Sequence, residues 1–172
     1  ASPLVADVAD DSDKEVIVIT QDAELTILNA LGGKVAAAID LGEAGESGVP
    51  TVYSSPALVD LDREDNQQEL IVAVNEYGEE DQPISSLYVL PLRNGPETAF
   101  EVGQGSKIVI STASTGGEFN AVVSTPAVWD IDGDGQLEAV IGTGSGDLVA
   151  VNLEPELSIQ WRLTGLKAIQ SS

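Results

Sequence analysis

The chain has 172 residues, 42% of them hydrophobic, with 29 acidic against 7 basic residues and a formal net charge of −22. This length suits one domain with a substantial core, and the apolar fraction excludes a disordered acidic tail. The negative charge disfavours nucleic acid and anionic membrane surfaces as partners, because phosphates would be repelled, and it makes cations the natural ones. The alternative is a surface that serves solubility alone.

The sequence contains no Cys, His or Met. The usual general base, the usual zinc ligands, a thiol nucleophile and any disulfide are therefore missing. We expect no catalytic residues, no bound organic cofactor and no enzymatic activity. The start at Ala1-Ser2-Pro3 predicts a processed or excised chain, and no apolar run approaches membrane-spanning length, so we expect no membrane insertion.

One phrase occurs three times along the chain. Each copy has Ser/Thr-Pro, a short apolar run, an acidic turn, a glutamate and then a β-branched run. The copies are SPLVADVADDSDKEVIVIT (2–20), SPALVDLDREDNQQELIVAV (55–74) and TPAVWDIDGDGQLEAVIGT (125–143). Such self-similarity is typical of repeat folds. The sequence predicts three blade-like repeats that together form one propeller segment: 1–53, 54–123 and 124–172.

Further apolar segments follow each copy. In chain order they are 23–31 and 34–41, then 85–92 with either 98–102 or 107–112, then 146–153 and 158–163. They are short, rich in Val and Ile and bounded by turn residues, which predicts strands joined by hairpins. Gly144 and Gly146 can supply the positive φ that a reversal before the segment 146–153 needs. Helical periodicity is scarce, and Gly32 and Gly33 favour a turn over a helix in 29–45.

The repeat length suits a β-propeller. Pro3, Pro56 and Pro126 lie about 53 and 70 residues apart, which brackets the period of propeller blades. The long middle repeat carries candidate insertions at 75–83 and 111–120. We therefore predict an all-β fold of about three four-stranded blades. Because propellers typically have at least four blades, we expect an incomplete ring, completed by another chain or by missing sequence.

The chain resembles the FG-GAP/VCBS-type repeats, which are related to quinoprotein-like (PQQ-type) propeller repeats. SSPALVDLD (54–62), STPAVWDIDGDGQLEAVIGTGSGDLVAVN (124–152) and Trp161 of SIQWRL carry this resemblance. It implies a β-propeller of extracellular, cell-surface or periplasmic location. It also implies calcium in the acidic loop between the first two strands of a blade.

The acidic turn of the third repeat has the composition of a cation loop. Its candidate ligands are Asp130, Asp132, Asp134, the backbone carbonyl of Gln136, and Glu138. Oxygen ligands with surplus negative charge select a hard cation, and Ca²⁺ tolerates an irregular geometry better than Mg²⁺. An EF-hand is excluded because its twelfth position is Ile141 instead of Glu. The alternative is a solvated hairpin whose aspartates accept hydrogen bonds from backbone N–H groups.

The other two acidic turns are weaker candidates. The second repeat offers Asp60, Asp62, Glu64 and Glu69, but has an extra residue. The weakest set, in the first repeat, is Asp7, Asp11, Asp13 and Glu15, where Ala9 replaces the second ligand. The three matched glutamates have an alternative role, which is to tie the backbone at the start of each second strand.

Two further groups of residues have competing interpretations. Trp129, Trp161 and Tyr53 lie in strand patterns, and we expect packing between blades, with ligand stacking as the alternative. The acidic run from Glu76 to Asp81 is interpreted as a solvated loop, with a cation or partner site as the alternative.

The function that these features favour is a non-catalytic calcium-binding propeller module for extracellular binding, adhesion or assembly. One alternative is a segment of a propeller enzyme, such as a quinoprotein-like dehydrogenase or a hydrolase. Another is a structural subunit of a larger complex or filament. We expect another propeller segment or subunit as partner, in a homo- or hetero-oligomer, and a protein or carbohydrate ligand fits the same interpretation.

Overall fold

The computed structural model describes residues 2–9, 11–61, 67–94, 100–103, 105–112, 120–167 and 169. In these residues the chain forms thirteen β-strands and one short 3₁₀ helix, Glu79–Asp81. The prediction of an all-β fold is confirmed. The segment 29–45, where a helix was weighed against a turn, contains a turn and a short strand.

The first and third sheets are four-stranded antiparallel meanders in which each strand pairs with the next. The first sheet contains β1 (Leu4–Ala6), β2 (Glu15–Ile19), β3 (Glu24–Leu28) and β4 (Ile39–Asp40). The third contains β10 (Ala127–Trp129), β11 (Glu138–Gly142), β12 (Leu148–Asn152) and β13 (Ser158–Leu163). Before β12, the N–H of Gly146 donates to the carbonyl of Thr143, and Gly146 alone of the two predicted turn glycines has positive φ.

The middle sheet has five strands. They are β5 (Ala57–Val59), β6 (Gln68–Tyr77), β7 (Pro83–Asn94), β8 (Phe100–Val102) and β9 (Ser106–Thr112). Both β8 and β9 pair with β7, at opposite ends of that strand. The two segments that were alternatives for one strand are therefore both strands: the sheet has a four-strand path, β5-β6-β7-β8, and β9 is an additional strand that pairs with β7.

Pro91 lies in β7 where the pairing changes from β8 to β9. A proline has no N–H to donate to a neighbouring strand. Opposite it, the N–H of Gly103 donates to the carbonyl of Pro91, and a Cβ at Gly105 would clash with the carbonyl oxygen of Val89. The chain therefore passes close to β7 here without continuing the ladder.

The three sheets stack face to face, and the middle one is covered on both sides. Alternate residues of β6 enter two different cores: Leu70, Val72 and Val74 pack with the first sheet, while Ile71 and Ala73 pack with the third. Because side chains alternate across a strand, a strand segment that is buried on both faces is continuously apolar, as β6 is from Leu70 to Val74.

The stacking follows one rule in both interfaces. We call the forward face of a sheet the one carrying the residues two and four positions after the repeated glutamate, and the rear face the one carrying those one and three positions after it. The forward residues are Ile17 and Ile19, Ile71 and Ala73, and Val140 and Gly142; the rear residues are Val16 and Val18, Leu70 and Val72, and Ala139 and Ile141. In both cores a forward face packs on the rear face of the next sheet.

Among the described residues, no further sheet covers either end of the stack. Trp129, at 74% exposure, and Trp161, at 38%, lie on the forward face of the third sheet by strand register. The expectation that both pack between blades is not met within one chain, and Tyr53 is also exposed. No closed ring forms from these sheets. In the described part of the chain, no helix has the length and apolar character needed to cross a bilayer.

Candidate metal centre

A glutamate at the start of the second strand holds each acidic turn by the same hydrogen bond. Its carboxylate accepts the backbone N–H of the residue that follows the first aspartate of that turn. The three bonds are Glu15 Oε2 to Val8 N at 3.0 Å, Glu69 Oε2 to Leu61 N at 3.0 Å, and Glu138 Oε2 to Ile131 N at 2.9 Å. The backbone-tying role that was the alternative to metal binding is therefore present in all three repeats.

The glutamates of the first and third repeats are buried, so their hydrogen bonds contribute to the stability of the fold. Glu15 and Glu138 are almost fully buried, at 3% and 1% exposure. A buried carboxylate without partners is costly, whereas a charge-assisted bond from a backbone N–H compensates for part of its lost hydration. Glu15 also accepts the N–H of Ala9 at 3.3 Å. Each turn is thus fixed to the strand that follows it.

In the third repeat the turn curls around Asp130. Its two carboxylate oxygens accept the N–H groups of Gly133 at 2.7 Å and Gly135 at 3.0 Å. Both glycines have positive φ, 81° and 95°, a conformation that other residues adopt only with strain. The DGDG sequence is therefore what allows the loop to wrap around its first aspartate.

This loop brings three carboxylates together. One oxygen each of Asp130, Asp132 and Glu138 lies within 4.8 Å of the other two. Glu138 is buried, Asp130 is half-buried and Asp132 is exposed, so the group opens to solvent on the Asp132 side. Oxygen donors with three negative charges at this spacing suit a hard divalent cation such as Ca²⁺.

The remaining two predicted ligands lie outside this trio. Asp134 accepts the N–H of Gln136 at 2.8 Å, a bond within the turn. Asp132 accepts two hydrogen bonds, from Asp134 N at 3.1 Å and from Gln160 Nε2, on β13, at 2.7 Å. Both interpretations of the turn thus have support: the aspartates accept backbone N–H groups, and carboxylates also converge. A carboxylate oxygen has lone pairs for both.

The first repeat has the same loop without the trio. Asp7 accepts the N–H of Ser12 at 3.0 Å, and Ser12 has the positive φ, 73°, of the matching Gly135. Asp11 accepts the N–H of Asp13 at 3.0 Å, as Asp134 does from Gln136. Ala9 occupies the place of Asp132. Among the residues that the structure describes, three carboxylates converge only in the third repeat.

The second-repeat set is only partly described. Asp62 and Glu64 lie outside the described residues, so the structure places only Asp60 and Glu69 of that set. A metal site there stays a prediction.

A second polar cluster surrounds Glu76, which sequence interpretation assigned to a solvated loop. That assignment is wrong for Glu76, because β6 extends to Tyr77 and buries its side chain completely. Glu76 Oε2 accepts Glu43 N and Tyr88 Oη, both at 2.7 Å, and Lys107 Nζ lies 3.3 Å from Oε1. No local pattern indicates this burial, because the partners Glu43 and Lys107 lie 33 and 31 residues away in the chain.

The cluster changes the chemistry of Tyr88. Burial raises the pKa of the Tyr88 phenol, and its hydrogen bond to Glu76 and the charges of Glu76 and Glu43 raise it further. The protonated phenol serves here as a donor to a buried carboxylate, so the cluster ties the segment before β5 to the middle sheet.

In the rest of the acidic run, Glu79 and Glu80 are exposed, as predicted, whereas Asp81 is half-buried. Glu79, Glu80 and Asp81 form the 3₁₀ turn, in which Glu80 and Asp81 have positive φ. Asp81 accepts the N–H of Ser47 at 3.0 Å and also the Ser47 hydroxyl. Asp81 therefore fixes the loop 45–48 to the middle sheet.

Comparison with protein-family models and with curated proteins finds no match to the chain. The resemblance to FG-GAP/VCBS-type repeats therefore stays a prediction that rests on 54–62, 124–152 and Trp161.

Replacing Glu15 with Ala tests the strand-tying role apart from metal binding, because the first repeat lacks the trio. We expect the free energy of unfolding to fall by about 1.5–3 kcal/mol, since two backbone N–H groups lose a charged acceptor. Glu15→Gln, which keeps one acceptor oxygen, should lose less. The measurement is urea unfolding in excess chelator.

Asp13→Ala is the matched control for that experiment, because it removes an exposed carboxylate from the same loop. Equal stability of the Glu15→Ala and Asp13→Ala proteins would contradict the tying role.

The raised pKa of Tyr88 predicts a loss of stability in alkali. The unfolded phenol ionises near pH 10, while the folded one keeps its proton, so above pH 10 the unfolded state binds fewer protons and is favoured. Below pH 10 the phenol is protonated in both states, so the stabilisation by the Tyr88 hydrogen bond is fully present there. We expect the stability difference between wild type and Tyr88→Phe to narrow by up to about 1.4 kcal/mol per pH unit above it. A difference that stays constant from pH 8 to 11 in urea unfolding would show that Tyr88 does not titrate as described.

Proposed function

We propose that the chain is a non-catalytic, calcium-binding module of the β-propeller type that serves extracellular binding, adhesion or assembly. The observation that carries this proposal is the convergence of Asp130, Asp132 and Glu138 in the turn between the first two strands of the third sheet. The FG-GAP/VCBS-type resemblance places calcium in the same turn.

Calcium would stabilise the third sheet at a point where like charges are held close together. Three carboxylates within 4.8 Å of one another repel, and a divalent cation between them replaces that repulsion with attraction. The turn is already curled by the bonds to Asp130, so little ordering is needed on binding.

The open ends of the stack support the assembly part of the proposal. Trp129 and Trp161 give the third sheet a large apolar surface on the side away from the core. Exposed apolar patches of this kind mark interaction sites in soluble proteins. This surface also favours the second candidate, a structural subunit of a larger complex. In either case, further sheets would complete a propeller ring.

The proposed calcium site favours an extracellular or periplasmic location. Calcium modules with few protein ligands bind at about 0.1–1 mM, a concentration typical of extracellular fluids. The charge of −22 is best tolerated where salt screens it.

Calcium titration of the thermal midpoint tests the metal site. At 10 mM calcium and a Kd of about 0.1–1 mM, binding to the folded state adds about 1.4–2.7 kcal/mol. For a domain of this size the midpoint should rise by about 3–10 °C. Asp132→Ala should abolish the rise, whereas Asp22→Ala, the same charge change at an exposed turn, should keep it. An undiminished rise in the Asp132→Ala protein would refute the site.

Ala9→Asp in the Asp132→Ala background provides a gain-of-function test. The first repeat already has Asp7 and Glu15 in the matching positions, so the new carboxylate completes a second trio. We expect a calcium-dependent rise in the thermal midpoint to return. Its failure to return while the Ala9→Asp protein remains folded would show that the three carboxylates are not sufficient ligands.

A further inference from the structure

The Ser/Thr-Pro motif forms a hydrogen-bonded ladder along the stack. The N–H of Ser2 donates to Ser55 Oγ at 2.6 Å, and the N–H of Ser55 donates to Thr125 Oγ1 at 3.2 Å. Each repeat thus donates a backbone N–H to the hydroxyl at the same position of the next repeat.

Among the described residues, this ladder ends at Ser2 and at Thr125. Within the described residues, the N–H of Thr125 has no acceptor and the Ser2 hydroxyl has no donor. Continuing the ladder would place the hydroxyl of another such motif beside Thr125, and the N–H of another beside Ser2. The hydroxyl of Ser2 stands at the motif position that accepts this hydrogen bond in the other repeats, so it could accept the N–H of Thr125.

The end faces of the stack match in the same direction. The third sheet presents a forward face on which Trp129 and Trp161 are exposed, although Ile169 lies against it beside Gly142. The first sheet presents a rear face with Val5, Val16 and Val18, which no other described sheet covers. Both interfaces inside the chain join a forward face to a rear face. The two open ends are therefore the two halves of the interface that the chain already builds twice.

We propose that a second copy of this chain stacks head to tail, with the rear face of its first sheet on the forward face of the third sheet. In this contact the N–H of Thr125 donates to Ser2 Oγ of the second copy. The inference rests on the assembly role proposed above, but it does not depend on calcium binding.

The side chains at the two faces are complementary in size. Two tryptophans project from one face, and the opposite face carries β-branched valines of smaller volume, so the indoles have room to pack. Two copies would stack six sheets, a number within the range of closed propellers, and a second identical contact between them would close the ring.

Charge sets the conditions of the experiment. Two chains of −22 each repel at low salt, and 1 M NaCl reduces the screening length to about 3 Å. Analytical ultracentrifugation in 1 M NaCl should find a species of at least twice the 17.8 kDa of the chain, dissociating as salt is lowered. A folded monomer at 100 µM chain in 1 M NaCl would overturn the proposal.

Two variants that each damage one face test the direction of stacking. Trp161→Glu places a charge on the forward face, and Val5→Glu, at a 62% exposed position, places one on the rear face. Each variant alone should be monomeric. An equimolar mixture should form a heterodimer, because the intact rear face of the first variant meets the intact forward face of the second. If either variant still self-associates as wild type does, or the mixture stays monomeric, head-to-tail stacking is wrong.

Leu163→Glu replaces Trp161→Glu should the latter not fold, since Leu163 lies on the same face and is half exposed. Leu31→Glu is the control, because Leu31 is 96% exposed and lies in a turn outside the strands; it should associate as wild type does.

The ladder has a separate test in Ser2. Ser2→Ala should weaken association about fivefold, the value of one neutral hydrogen bond, and Ser2→Thr, which keeps the hydroxyl, should not. Equal affinities of the Ser2→Ala and Ser2→Thr proteins would show that the Ser2 hydroxyl makes no hydrogen bond in the contact. The calcium titration on monomeric Trp161→Glu separates the two proposals, because the metal site is read there without association.

Discussion

The hydrogen bond from a backbone N–H to the glutamate at the start of the second strand is the interaction on which each repeat depends, and in the first and third repeats that glutamate is buried. It joins the end of the first strand to the start of the second, across a turn whose length and acidity differ among the three repeats. In the first repeat that turn contains Ala9 and in the third Asp132, yet Val8 and Ile131 donate to Glu15 and Glu138 at nearly the same distance. The turn can therefore vary in sequence while the strands keep their register.

The same bond explains how a metal trio can arise on this frame. Glu138 lies at the base of the loop because the fold requires it there, and Asp130 is held by the N–H groups of two glycines. Only Asp132 is then needed to bring a third carboxylate within 4.8 Å. The first repeat keeps Asp7 and Glu15 without that third group, so the frame and the cluster are separable.

Short-range sequence patterns predicted most of the strands. The features that they did not predict depend on packing between residues far apart in the sequence. The repeated Pro, Asp and Glu positions predicted the first two strands of each sheet, because alternation and turn residues are local signals. The split between β8 and β9 was not predictable from either segment, since it depends on Pro91 in the facing strand. Glu76 was misjudged because its partner Lys107 lies 31 residues away, on β9. In the acidic turn, spacing predicted five ligands, but the backbone conformation of Gly133 and Gly135 selects which side chains converge.

The direction of the stack accounts for the apolar surface that remains exposed. In both cores a forward face packs on a rear face, so both faces of the middle sheet are buried. A linear stack built in this way has a rear face at one end and a forward face at the other. Ile71 and Trp161 lie on the forward faces of their sheets. The forward face that buries Ile71 in the middle sheet therefore corresponds to the face that exposes Trp161 in the third. The rule that builds the two cores thus leaves Trp129 and Val5 at the ends, and Thr125, the last described residue of the ladder, lies at the same end as the tryptophans.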